Sequence, residues 1–136
     1  MAEPNVIVSE WISKAEADWD WVQLAASTTN TRLRDGVVFH AQQCIEKLFK
    51  ACLLVHGEGF RKIHDLSSLS CQLHAVDPSW TWGDDDLDEH TDAGVLSRYP
   101  GFDTTDEEVA HLVVIATRLR NALLAHLHYA EGDSVT

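Results

Sequence analysis

Basic residues are scarce in this sequence: ten Lys and Arg stand against twenty-two Asp and Glu, a formal charge of −12. Affinity for nucleic acid comes largely from Lys and Arg neutralising phosphates, so general polyanion capture by the whole surface is disfavoured. A small basic site stays open, and charge favours a basic partner protein. Cysteine occurs only three times, an odd number, with two of the three on one stretch. That argues against a disulfide framework and for free thiols packed as small apolar groups. No apolar run approaches the roughly 20 residues a bilayer-spanning helix needs, and the N-terminal segment does not read as a signal peptide, so the expected location is cytoplasmic. Gly-rich phosphate loops, a Gly-x-Ser-x-Gly elbow and a cysteine-based triad are likewise missing. The acidic run from Asp84 to Glu89 lacks the loop glycine and distal glutamate of an EF-hand and reads instead as a solvated helix start. No internal repeat, low-complexity block or convincing strand alternation is found.

What is present is helical periodicity. With 136 residues, 45% of them hydrophobic and only three prolines, the chain is expected to form one domain with an ordered core over about 5–131. Its centre is the stretch Gly36 to His56, GVVFHAQQCIEKLFKACLLVH. Val37, Ala41, Cys44, Leu48, Ala51 and Val55 alternate at spacings of four and three, which puts them on one stripe of an α-helix. Gln42, Gln43, Glu46, Lys47 and Lys50 fall off that stripe, as on a solvated or interfacial face. Phe39, Leu53 and Leu54 lie nearly opposite it, so the helix is expected to be wrapped by neighbours or buried against a second subunit.

Other helices are placed around this one. The first begins near Asn5 or Ser9 and ends about Ser27, with Trp11, Ala15, Trp19 and Val22 on its stripe and Asp18 near the middle of it. Trp21 lies off the stripe, at an exposed or interface position. Gly57 is a natural stop for the central helix. A third helix covers 64–76, with Asp65 complementing its N-terminus and Asp77 and Pro78 ending it. A fourth opens on the acidic run and leads to Leu96. Thr104 with Glu107 three residues later reads as a capping box for the last helix, which is expected to end near Ala130 to Gly132. The expected fold is all-α: an antiparallel bundle of about five helices.

FHAQQCIEKLFKACLLVHG, then KIHDLSSL, then SRYPG, together with AEADWDWVQLA near the start, resemble the HEPN family, the higher eukaryotes and prokaryotes nucleotide-binding domain. The match lies in its Arg-Tyr-Pro-containing prokaryotic branch. The resemblance implies a HEPN helical bundle that commonly dimerises, and a homodimer with the last or the central helix at the interface is expected. The motif residues His40, Gln43, Lys47 and Lys50, with His64, Arg98 and Tyr99 further along, are candidate binding or interface positions. Asp18, His128 and Tyr129 join them.

RNALLAH, Arg120 to His126, is the sharpest candidate for chemistry. It resembles the pattern of catalytically active HEPN ribonucleases, an Arg, several residues and a His, with a polar residue such as Asn121 after the Arg. Imidazole moves protons near neutral pH, and guanidinium binds phosphate through paired hydrogen bonds. On a helix the two side chains project about 120° apart, which a composite site between two protomers would accommodate. The plainer reading makes Arg120 a structural group near an apolar stripe. Asp18 and Arg120 are candidates to pair with one another, with Lys47 or Lys50 alternatives for Asp18 and Glu46 for Arg120. His126 with His128 and Tyr129 near the helix end suits the helix dipole better than metal chelation. His40 with Cys44, and Cys52 with His56, have the spacing of ligand pairs but lie about 18 Å apart along the axis, so no metal and no cofactor is expected.

Three functions follow as expectations. The first is a HEPN-domain protein acting through protein partners, which the resemblance ties to toxin–antitoxin-like pairs with a separate minimal nucleotidyltransferase. The second is a metal-independent endoribonuclease using Arg120, Asn121 and His126 across a dimer, with RNA or a nucleotide as ligand. The third is a non-catalytic structural dimer. A basic groove beside His126 favours the enzyme, and an acidic or apolar surface there favours the interaction module.

Overall fold

Apolar stripes at helical spacing build five helices among the described residues of the computed structural model, which are 4–27, 30–60, 65–96 and 104–135. They are α1 (Pro4–Ala26), α2 (Arg34–Val55), α3 (Leu66–Val76), α4 (Asp84–Leu96) and α5 (Asp106–Val135), with a 3-10 turn at Thr31–Leu33 leading into α2. No strand occurs among them, so the expected all-α bundle is what forms. None of these helices is long and apolar enough to cross a membrane.

α2 touches every other helix, most extensively α1 and then α5. Ile45, Leu48, Phe49 and Leu53 on α2 are fully buried, as are Leu119 and Leu123 on α5 and Leu66, Leu69 and Leu73 on α3. Each such side chain contributes about 1.5–3 kcal/mol relative to exposure. Opposite the main stripe Leu53 is buried by this chain's own helices, while Phe39 and Leu54 are half-buried. The chain's own helices account for most of the two-sided pattern. Gln42, Glu46 and Lys50 do not form a solvated face either: all three are buried. Lys50 lies over the rings of Trp11 and Phe60, its Nζ 5.6 and 5.2 Å from their centroids, so its stem is packed under aromatic cover.

Two glycines make local features possible. At Gly36 a Cβ would come 2.3 Å from Cη2 of Trp21, so the absence of a side chain lets the indole seat against α2. That explains Trp21, which lies half-buried in the α1–α2 seam. Gly57 has φ +74°, the left-handed region that L side chains avoid. Around it the Gly57 N–H donates to Leu54 O at 3.0 Å and the Glu58 N–H to Leu53 O at 2.9 Å, the two bonds of a Schellman stop.

Helix ends mostly follow the sequence signals, with two corrections. At the start of α3, Asp65 accepts a hydrogen bond from the Ser67 N–H at 3.3 Å. The α5 cap is Thr105, not Thr104: its Oγ1 accepts from the Glu108 N–H at 3.1 Å. Thr104 is buried and donates its hydroxyl to Asp35 at 3.1 Å, a tertiary bond that takes it away from the cap. α5 also runs through Gly132 to Val135, past the expected stop. A single glycine weakens a helix by about 1 kcal/mol but does not forbid it.

Candidate functional site

Two helix ends meet beside α5. The stop at Gly57 leaves His56 as the capping residue of α2. Asp77 holds the same position after α3, its N–H donating to Leu73 O at 2.8 Å. Pro78 cannot continue the helix. The turn is then fixed locally, because Asp77 Oδ1 accepts from the Ser79 N–H at 3.1 Å and from the Ser79 hydroxyl at 2.6 Å. This delivers Trp80 into the core, where it meets Phe49 edge-on at 5.6 Å and donates its indole N–H to Ser70 Oγ at 2.9 Å. Trp82 stacks on Trp80 with centroids 5.9 Å apart.

His126 of α5 sits on this corner. Its Nε2 lies 2.8 Å from Nε2 of His56, so one imidazole must donate its proton into the lone pair of the other. Its Nδ1 is 3.5 Å from Asp77 Oδ2, and its ring stands edge-on to Trp80 at 6.3 Å. An open cleft of about 620 Å³ lies over Asp77 and His126, lined also by Ser79, Trp80, Thr81, Trp82 and Ala122. Burial holds the His126 pKa below the ordinary imidazole value of 6.5; the neighbouring His56 acts in the same direction, and Asp77 opposes both. The Ser79 hydroxyl and N–H hold the Asp77 carboxyl below its usual range, with further help from the charges of His126 and His56. The chemical capacity of the corner is thus a neutral imidazole lone pair beside a carboxylate, with aromatic walls and an open mouth. His126 is not a surface imidazole, since its side chain is only 11% exposed.

Arg120 does not join it. The guanidinium forms a two-pronged pair with Glu16 of α1, Nε to Oε1 at 3.1 Å and Nη2 to Oε2 at 2.5 Å, and lies 5.1 Å from the Trp19 ring. The expected pairing of Asp18 with Arg120 is therefore wrong. Asp18, also buried, instead accepts from His40 Nδ1 at 2.8 Å and from Lys47 Nζ at 2.5 Å. Glu46 pairs with Lys50 at 3.3 Å, one turn along α2, rather than with Arg120. Asp18 and Glu16 are met by cations across helix seams, which side-chain projection on a single helix does not reveal, whereas Glu46–Lys50 is an i,i+4 pair within α2.

The remaining candidates scatter. Gln43 donates to Gln42 at 2.9 Å within α2. Asn121 and His128 are exposed on α5. His64, Arg98 and Tyr99, and the side chain of Tyr129, lie outside the described residues. The two His–Cys pairs on α2 do not act as ligand pairs: His40 is held by Asp18, and the Cys52 thiol faces Leu123 O at 3.7 Å. Burial pushes the Cys44 thiol up to about 12 and the Cys52 thiol higher still, so both are inert at neutral pH. All three cysteines are free, as expected. A second open depression, about 840 Å³, lies where α2 and α5 begin; Arg32 and Arg34 face Asp35, Asp106 and Glu107 across it, and Arg34 is bound to Asp106 at 2.6 Å.

Sequence reasoning found His126 but missed His56 and Asp77 as its companions. The available signal was weak: each is the polar residue at which a helix stops, and helix stops are where side chains of different elements converge.

A family model described as HEPN domain matches residues 8–127. No curated protein and no solved structure matches the chain.

Proposed function

The chain belongs to the HEPN domain family, and from that premise we propose that it acts through a protein partner rather than by cutting RNA itself. The partner is a separate minimal nucleotidyltransferase, the two forming a toxin–antitoxin-like pair. The observation that carries this reading is the state of Arg120. A guanidinium engaged on two prongs by Glu16 and laid against Trp19 is not presented to a scissile phosphate. Two further facts support it: among the described residues the cleft over His126 has no Lys or Arg in its lining, and the formal charge of −12 opposes a polyanion.

The reading includes a homodimer. With most of α2 covered by its own chain, self-association falls to faces such as those bearing Leu24 of α1, 75% exposed, and Val114 of α5, 49% exposed. Sedimentation at micromolar concentration is expected to give a dimer, and a monomer alone would remove this part.

The competing reading, a metal-independent endoribonuclease with a composite site, is favoured by one observation: Asp77 faces His126 Nδ1, as a carboxylate that orients a general base does. One experiment separates the two. The purified protein is incubated with single-stranded RNA in EDTA, alongside His126→Gln and with thermal melts of both. No cleavage dependent on His126 is expected, and co-expression with a minimal nucleotidyltransferase is expected to yield a stable complex. Rapid cleavage in EDTA that disappears in a folded His126→Gln would replace the partner reading with the enzyme.

A further inference from the structure

Among the described residues, His56, Asp77 and His126 form the group of His, Cys, Asp or Glu side chains whose donor atoms all come within 4.8 Å of one another. They arrive from three separate elements: the caps of α2 and α3 and the body of α5. Their chemistry is that of a three-ligand site for a borderline divalent ion, two imidazoles and a carboxylate, with the fourth position left for water.

The geometry is close to what such an ion requires. Nitrogens bound to a tetrahedral Zn²⁺ at about 2.0–2.1 Å lie ~3.3 Å from each other. The two Nε2 atoms here are 2.8 Å apart and aimed at one another across a single shared proton. Turning the two rings so that both Nε2 lone pairs converge on one point beside that line, with about half an ångström more separation, admits an ion in place of that proton. Asp77 is restrained nearby: Ser79 occupies its Oδ1 twice, and Oδ2, which lies 3.5 Å from His126 Nδ1 rather than beside Nε2, reaches the third position by a turn of the carboxylate within a group whose ligand atoms span no more than 4.8 Å. Such outer hydrogen bonds orient ligands in metal sites. Trp80 buttresses the His126 ring edge-on, and the cleft over Asp77 and His126 gives an entry path. Hard ions such as Mg²⁺ take oxygen ligands and retain their water, so two imidazoles select against them.

We propose that His56, Asp77 and His126 bind one divalent ion of the Zn²⁺ class, tying together the ends of α2 and α3 and the middle of α5. An ion held there takes the Nε2 lone pair of His126, so the bound form has no free imidazole at that position. The proposal does not rest on the partner reading, and its test involves neither RNA nor partner.

The full chain, stripped with EDTA, is titrated with Zn²⁺ against a chromophoric chelator, and separately with Co²⁺ while the visible absorption is followed. About one ion per chain is expected, with the intense Co²⁺ bands of a four-coordinate site, a rise in melting temperature on Zn²⁺ addition, and no competition from Mg²⁺. His56→Gln and His126→Gln are each expected to weaken Zn²⁺ binding at least ~100-fold, and Asp77→Asn at least ~10-fold. Cys71→Ser, which removes the exposed thiol, is expected to leave it unchanged. Failure of the wild-type chain to bind Zn²⁺ would overturn the proposal without recourse to any variant. So would binding that survives both histidine substitutions in folded protein, or binding that Cys71→Ser abolishes.

Discussion

Along the seams that α1 makes with α2 and α5, acids face cations: Asp18 meets Lys47 and His40, and Glu16 meets Arg120. Where the ends of α2 and α3 meet α5, two imidazoles face each other instead, with a carboxylate to one side. Both regions are rich in titratable groups, but only in the first are the charges matched in sign. Matched pairs cancel each other's field and leave little to offer a ligand, whereas at the corner the two facing nitrogens are joined only by one shared proton. Charge pairing in the seam is structure. The corner is where the proposed ion would bind.

Removing one side of a seam pair tests that contrast most severely. Asp18→Ala leaves Lys47 and His40 facing a cavity without their carboxylate, and is expected to cost about 3–5 kcal/mol in urea unfolding. Asp77→Ala in metal-free buffer is expected to cost about 1 kcal/mol, near the net worth of an ordinary hydrogen bond, because its side chain is 28% exposed. Equal losses from the two substitutions would mean the corner is as structural as the seam.

The second test is the pH dependence of stability in EDTA. His126 has a folded pKa below its unfolded value of 6.5, so the unfolded chain binds its proton more tightly. Its contribution is full above 6.5 and is lost as pH falls from there through the lowered folded value. The slope from this group is at most about 1.4 kcal/mol per pH unit, and His126→Gln is expected to flatten the curve over that window. An unchanged slope would place the imidazole in a solvent-like setting and dissolve the distinction drawn here. Asp77, also held low, adds a loss in the same direction, but only below its ordinary value of 3.8.

The smallest effect is expected from the surface pair Arg34–Asp106, where Asp106 is 81% exposed. Asp106→Ala should change stability by less than about 1 kcal/mol, and less again at high salt. A larger loss would show that charge pairs on this protein matter irrespective of burial.

The bundle itself was legible because helical periodicity is a local property. Stripes such as Val37, Ala41, Cys44 and Leu48 record which side of a helix leaves water, and Gly57 and Asp65 mark its ends. The seam was only half legible. Asp18 and Arg120 each stood out near an apolar stripe and did need partners; Lys47, one alternative for Asp18, is found there, whereas Glu16 was not foreseen for Arg120. The choice among Lys47, Lys50, Glu46 and Glu16 depends on how helices are set against one another, a matter of side-chain reach across a few ångströms. Thr104 illustrates the same limit. A capping box starting at Thr104 and one starting at Thr105 are nearly indistinguishable in the sequence, and the tertiary bond from Thr104 to Asp35 settles which residue caps.

What the sequence determined by itself is an all-α HEPN domain with α2 as its hub, because period, composition and family motifs are written along the chain. What only the tertiary structure decided is the company each chemical group keeps. Arg120 and His126 are neighbours in sequence, but they project to different sides of α5, one toward Glu16 and the other toward His56 and Asp77. Residues 56, 77 and 126 share no spacing that any motif could register. They meet because two helices stop beside a third, and where helices stop is local while what lies across from the stop is not.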